Sequence, residues 1–216
     1  MKRIGITQRV RIEAAGTQRL DCLDQAWFEL AQQIDVDLMI VPNASSCAAD
    51  WARRRRLDGL ILSGGNDLAH LEAAREVAPE RDATEAAILD IAEKEGFPVL
   101  GVCRGMQLIN HRFGGRLSKV SGHARQRHAV YPCVEAGVFR GFSEVDSFHD
   151  WGITQDDLAR PLVACLAAPG GVVEAVRHAS LPWFGMMWHP ERSRGGDRSA
   201  DLALLRAVFG LRDDGG

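Results

Sequence analysis

Apolar positions in the first half of the chain alternate between two rhythms. Short, mostly apolar runs at Lys2–Thr7, Asp37–Val41, Leu57–Leu62 and Pro98–Val102 have the length and composition of buried strands. Between them the apolar residues recur every three or four positions. Leu23, Ala26, Trp27, Leu30 and Ile34 form one such stripe, and Met106, Leu108, Ile109 and Phe113 form another, from Arg104 to the Gly114-Gly115 stop. A helix is also predicted over Thr84–Glu95, with Asp82 and Glu85 at capping-box spacing and Gly96 at its end. Strand and helix alternate from residue 1 to 113, which predicts an α/β fold with a mostly parallel, doubly wound sheet flanked by helices.

Past Gly115 the rhythm changes. Ala129–Val134, Pro161–Leu166 and Gly171–Val176 read as strands joined by short turns, a small antiparallel extension of the sheet. Ser199 is placed as the cap of a last helix carrying Leu202, Leu205 and Val208, ended by Gly210. No linker or repeat interrupts the pattern, so residues 1–216 are expected to form one domain, with Asp213–Gly216 as a disordered tail.

Composition narrows the class. With 216 residues, 46% hydrophobic and 25% charged, the chain is long enough for a full core and ordinary for a soluble protein. A net charge of −3 supplies no general field for nucleic acid or an anionic membrane. No apolar segment reaches the ~18 residues of a membrane span, and the N-terminus lacks a signal-peptide core. Five scattered cysteines without C-x-x-C spacing fit a reducing compartment, so a cytoplasmic location is expected. The run Arg53–Arg56 reads as a solvated helix end rather than an anion site.

Chemistry concentrates at two places. Gly101-Val-Cys103-Arg-Gly105 sets a cysteine on a tight strand-to-helix turn, where the first amides of a helix lower a thiol's pKa. Taken alone, Cys103 could equally be a small buried hydrophobe. A second apolar run, Trp183–Trp188, delivers His189 and, two residues on, Glu191. A cysteine nucleophile needs a base and a group to orient that base, and these are the residue types required. Both segments would end on one rim of a parallel sheet. Gly64-Gly65, closing a strand, is by itself only a turn signal.

These residues carry a resemblance. Gly101-Val-Cys103-Arg-Gly105-Met-Gln107 with His189-Pro-Glu191 resembles the class I glutamine amidotransferases, whose fold is flavodoxin-like and whose triad is Cys, His and Glu. Arg81-Asp82, Gly114–Leu117, Asp146–His149 and Gly171–Ala175 look like the branch that hydrolyses γ-glutamyl amides, peptidase C26. Gly5–Arg9, Leu62–Leu68 and Met186–Arg192 are similar to the γ-glutamyl-CDP-amidate hydrolases of capsule phosphoramidate synthesis.

The resemblance implies a hydrolase of a small γ-glutamyl substrate, with catalytic residues Cys103, His189 and Glu191 and no cofactor. It implies an oxyanion hole from the backbone N–H groups of Gly65 and Arg104. Gln107 would hold the γ-glutamyl group, and Ser147, Phe148 and His149 the α-amino and α-carboxylate end, with Asp146 standing where the family pattern has Asn. For a diphosphate on the amine side, Arg9, Arg177 and Arg192 are the candidate cations, Arg177 and His178 being placed after the end of a strand. A glutaminase subunit feeding ammonia to a separate synthetase, or a γ-glutamyl-GABA-type hydrolase, are the alternatives. His70, His111, His123, His128 and His178 are expected on the surface or in loops, and no metal is expected. His123 and His128 have no acidic or cysteine partner at ligand spacing.

Overall fold

The computed structural model describes residues 1–13, 16, 18–43, 45–193 and 198–212, so the Asp213–Gly216 tail lies outside the described residues. The chain opens with β1 (Lys2–Ile6) and a hairpin of β2 (Arg9–Ile12) and β3 (Arg19–Cys22). There follow α1 (Ala26–Gln33), β4 (Val36–Ile40), α2 (Ser45–Arg55), β5 (Gly59–Leu62), α3 (Pro79–Glu95), β6 (Val99–Val102) and α4 (Arg104–Arg112). The second half contributes β7 (Ser118–Lys119), β8 (Ala124–Ala129), β9 (Tyr131–Pro132), β10 (Glu144–Phe148) and β11 (Trp151–Gly152). It ends with β12 (Leu162–Ala167), β13 (Val173–His178), β14 (Trp183–Met186) and α5 (Ser199–Phe209).

The main sheet has eight strands in the order β4-β1-β5-β6-β14-β13-β12-β9. The first five are mutually parallel, and β13, β12 and β9 add on antiparallel. The α/β fold and its antiparallel extension are therefore as the sequence pattern predicts. Because successive strand residues face opposite sides, each apolar run feeds two cores. Leu60 and Leu62 of β5 join a cluster with α2, α3 and α4, while Ile61 turns to the opposite cluster with α1 and α5.

Several expectations are corrected. The helix predicted from Thr84 starts at Pro79, whose fixed φ suits the first helical position, with Ala78 as cap. Asp82 and Glu85 form no capping box, because both carboxylates turn to the buried Arg104 guanidinium. The run Ala129–Val134 is broken at Val130, where the chain leaves β8 for β9. The last helix takes Arg198 as its cap and Ser199 as its first residue. Arg177 and His178 belong to β13 itself, since pairing with β12 continues as far as Leu162 opposite His178. His178 is accordingly buried rather than at the surface.

The arginine run ends α2, with Arg54, Arg55 and Arg56 exposed, as expected of a solvated helix end. The β2–β3 hairpin, which the hydrophobic pattern does not predict, is fastened to the loop after β5. Asn66 accepts from the Val10 N–H at 2.8 Å and donates to its carbonyl at 2.9 Å.

Candidate active site

Cys103 occupies the single residue between β6 and α4, with φ 51° and ψ −105°. A non-glycine residue held in that region is strained, and such strain persists only where the surroundings impose it. Here they do. The Cys103 N–H donates to the Met186 carbonyl at 2.7 Å, and the turn is closed by two glycines with no room for a side chain. A Cβ on Gly101 would lie 2.5 Å from the Gly105 carbonyl carbon, and one on Gly105 would lie 2.2 Å from the Leu62 carbonyl oxygen. The helix start is thereby pressed against the end of β5.

The second component comes from the neighbouring strand. β14 pairs with β6 through Met186 opposite Val102, so the residues after β14 emerge beside the cysteine turn. Trp188 anchors this segment by donating its indole N–H to Asp201 at 3.1 Å. His189 follows in extended conformation, and Pro190 opens a short 3-10 turn that swings Glu191 back under the ring. His189 Nδ1 and Glu191 Oε1 are 2.7 Å apart, and His189 shares the cleft with Cys103. Burial lowers the imidazole pKa, but the Cys103 charge and hydrogen bond, followed by Glu191, outweigh it and lift His189 to about 9. The arrangement therefore favours an imidazolium beside the Cys103 side chain.

The loop Ser63–Asn66 after β5 forms the opposing wall. Gly64 lies so close to His189 that a Cβ there would sit 2.4 Å from the ring Cε1. Gly65 has φ +83°, a left-handed conformation that suits glycine. The loop carbonyls turn into Arg81, which donates to Ser63 O at 2.5 Å, Gly64 O at 3.1 Å and Gly65 O at 2.6 Å. Across a planar trans peptide the Gly65 N–H points opposite to the Gly64 carbonyl, and so away from Arg81.

Arg81 is itself held by Glu85 at 2.9 Å, and Arg104 closes the network through Glu85 and Asp82. Burial and the neighbouring Arg104 push Arg81 down to about 10, against the pull of Glu85. Burial raises the Glu85 carboxyl, and Arg104 and Arg81 more than reverse this, leaving it below the usual range. The sequence offers Arg81-Asp82 only as a family mark; that Arg81 holds the loop is visible only in the fold.

These walls enclose a cleft of about 330 Å³ that contains Cys103, Arg104, Gly65, Gln107 and His189. Gln107 donates its side-chain N–H to the Trp151 carbonyl at 2.8 Å. Phe148, His149 and Arg192 also line the cleft, with the Arg192 guanidinium 4.8 Å from the Phe148 ring centre. Ser147 is fully buried on β10 and does not line it. Asp146 pairs across the strands with Arg127 and faces a neighbouring cavity.

Arg9 touches the Gly65 loop from the β2 side, and its side chain is what a Cβ on Gly65 would strike. Arg177 is not brought to the cleft: it sits within β13 between Val163 and Phe184, near Cys165. Sequence reading missed Lys119 and Arg75, which do line the cleft. Lys119 Nζ stands 4.1 Å from the Trp151 ring centre.

A model of the family described as Peptidase C26 matches residues 3–191. The chain belongs to the peptidase C26 family. Its match runs through the cysteine turn and ends at the Glu191 that meets His189. Within this family the chain is similar to the gamma-glutamyl-CDP-amidate hydrolase of Campylobacter jejuni, at 32% identity over 96% of this chain and 98% of that one. It is also similar to a glutamine-hydrolyzing GMP synthase subunit of Methanococcus aeolicus, at 29% identity over 80% of this chain and 84% of that one. In fold, the C26 chain matches the crystal structure of a putative GMP synthase subunit from Thermoplasma acidophilum. The TM-score is 0.71 at 20% identity, covering 97% of this chain and 93% of that one.

His123 lies in the loop before β8, as expected, whereas His128 lies within β8 itself. His123 is buried, and with His128 and His149 it surrounds the carboxylate of Glu174 on β13.

Proposed function

We propose that this peptidase C26 chain hydrolyses the γ-glutamyl amide bond of a small molecule, with Cys103 as nucleophile, His189 as base and acid, and Glu191 as orienter. The observation that carries this reading is the unbroken run of contacts from the Cys103 thiol through His189 to Glu191, inside a cleft walled by the Gly65 loop. His189 holds the thiol proton, and the thiolate attacks the γ-carbonyl carbon. The carbonyl oxygen becomes an oxyanion, for which the N–H groups of Gly65 and Arg104 are the proposed donors. His189 then gives its proton to the leaving nitrogen as the C–N bond breaks, leaving a γ-glutamyl thioester on Cys103. Water, deprotonated by His189, cleaves the thioester, releases glutamate and returns the proton to the thiol–imidazole pair. Glu191 keeps Nδ1 protonated and favours the imidazolium in each step.

The substrate favoured is γ-glutamyl-CDP-amidate, which would yield glutamate and cytidine diphosphoramidate for capsule phosphoramidate synthesis. Two observations support it: the near full-length similarity to the Campylobacter hydrolase, and the cations Arg192, Lys119 and Arg75 along the cleft. Arg9 stands one layer behind the Gly65 loop and is a weaker candidate, and Arg177 has no place in this reading.

The test is a panel of γ-glutamyl-CDP-amidate, γ-glutamyl-GABA and glutamine, with products identified by mass spectrometry. Release of glutamate from the first at a kcat/KM well above the others supports the full reading. Preference for γ-glutamyl-GABA would leave a γ-glutamyl hydrolase and remove the nucleotide. The similarity to GMP synthase subunits favours one other reading, a glutaminase that serves a separate synthetase. Turnover of glutamine that appears only with a partner protein would establish that reading in place of the first.

A further inference from the structure

Behind the cleft, on the side of the antiparallel extension, three histidines converge on one carboxylate. Glu174 of β13 is fully buried. Its Oε1 lies 3.1 Å from His123 Nδ1, 3.5 Å from His128 Nε2 and 3.4 Å from His149 Nε2. Neither carboxylate oxygen, nor any of those three ring nitrogens, makes a hydrogen bond of ordinary geometry among the described residues. Buried polar atoms left in this way are costly, and a cluster of them facing one another requires an explanation.

The tautomers sharpen the point. His149 Nδ1 is 3.0 Å from the Trp151 carbonyl, and His128 Nδ1 is 3.2 Å from the Ala129 carbonyl. A carbonyl oxygen only accepts, so in both rings Nδ1 carries the hydrogen and Nε2 presents a lone pair when the imidazole is neutral. Two lone pairs then point at a carboxylate oxygen. Something positive must stand between them, either added protons or a cation.

The spacing favours a cation. Ligand atoms about 2.0–2.2 Å from a tetrahedral metal are about 3.3–3.6 Å from each other. The His128 separation of 3.5 Å from Oε1 falls on that edge length, and the His123 separation of 3.1 Å is slightly inside it. His123, His128 and Glu174 offer ligand atoms that all lie within 4.8 Å of one another. A ligating histidine typically donates its other ring N–H to a backbone carbonyl, which fixes its orientation, as His128 does here.

We infer that His123, His128 and Glu174 form a binding site for a divalent transition metal, and that the imidazole and carboxylate donor set suits Zn²⁺. Imidazole nitrogen with one carboxylate oxygen suits zinc, whereas calcium and magnesium take oxygen-rich shells. The three donors come from β8, the loop before it and β13, so the ion's role is to hold these segments together. It ties β8 to β13 of the main sheet. His149, beside the same carboxylate at 3.4 Å, shares the Trp151 carbonyl with Gln107 and so links this cluster to the cleft wall that carries Phe148.

The experiment is metal analysis of the full-length chain, followed by titration of the chelator-treated protein with ZnCl₂ and, separately, with CoCl₂. About one zinc per chain is expected, with an intense visible absorption in the cobalt form that marks four-coordinate geometry. Zinc at about 100 times its Kd should raise Tm by about 5–10 °C. His128→Gln removes one donor at a partly exposed position and should weaken zinc binding by more than about 10-fold. Glu174→Gln should do the same. If that buried variant fails to fold, His128→Gln and the parent stoichiometry still decide the matter. The inference is overturned if the folded parent takes up no zinc and its Tm is indifferent to zinc and chelator. Zinc binding that His128→Gln leaves unchanged would overturn it equally, since the ion would then sit elsewhere.

Discussion

Gly64→Ala should damage the candidate site while sparing the fold. The added Cβ would lie 2.4 Å from His189 Cε1, where ordinary contact begins at about 3.4 Å, a deficit of about 1 Å. Neither side yields freely. The His189 ring is fixed by Glu191 at 2.7 Å, and the Gly64 carbonyl is held by Arg81 at 3.1 Å. Whichever moves, the imidazole or the Gly65 amide leaves its place by a sizeable part of that distance. A displacement of about 1 Å in a reacting group costs on the order of 100-fold in rate. That corresponds to about 2.7 kcal/mol in the barrier.

The assay is kcat/KM on the preferred γ-glutamyl substrate together with Tm, and Gly96→Ala serves as control. Gly96 also has positive φ, at +73°, but nothing lies within 4 Å of its Cβ position and it caps α3 away from the cleft. The control should lose about 1 kcal/mol of stability, as for an unfavourable left-handed residue, with kcat/KM unchanged. A Gly64→Ala enzyme with parental kcat/KM would refute the claim that His189 and this loop constrain each other in catalysis.

Cys103→Ser and Cys103→Ala should each abolish turnover with Tm nearly unchanged, and iodoacetamide should label Cys103 before the other four cysteines; labelling elsewhere with activity retained would refute its role. His189, lifted to about 9, must keep its proton to protonate the leaving nitrogen, so kcat/KM should fall on the alkaline side near that pH, a value belonging to the coupled thiol–imidazole pair. Glu191→Gln removes one of the influences that raise His189, so the alkaline limb should move to lower pH, and an unmoved limb would count against the Glu191 role. Arg81→Met removes the buried donor of three loop carbonyls and the partner of Glu85. It should cost about 3–5 kcal/mol, a fall in Tm of about 6–20 °C read by calorimetry, and a change below about 2 °C would refute the role given to that network.

What the sequence determined by itself was what local spacing can carry. The apolar runs set β1, β4, β5 and β6 to within a residue or two, and for β5 and β6 the reason is that a strand buried on both faces must be apolar throughout. Gly101 and Gly105 marked the cysteine turn because only glycine fits where backbone meets backbone at 2.2 Å and 2.5 Å. His189 and Glu191 were legible as a pair because two residues across a proline-led turn suffice to bring them together.

Tertiary structure decided what depends on segments far apart in the chain. Arg81 lies ahead of the helix predicted from Thr84 and is legible only as a family mark until packing of α3 against β5 sets it beneath the Ser63–Gly65 carbonyls. Arg177 reads as free to reach the cleft only while the end of β13 is misplaced, and that end is set by pairing with β12. His123 and His128 had no acidic partner in their own loop. The fold supplied Glu174 from β13 and His149 from beyond β10, since closing the antiparallel extension onto the sheet brings all four groups together and buries His123, His149 and Glu174. Burial of polar groups creates demands for partners that no spacing rule within one segment can express.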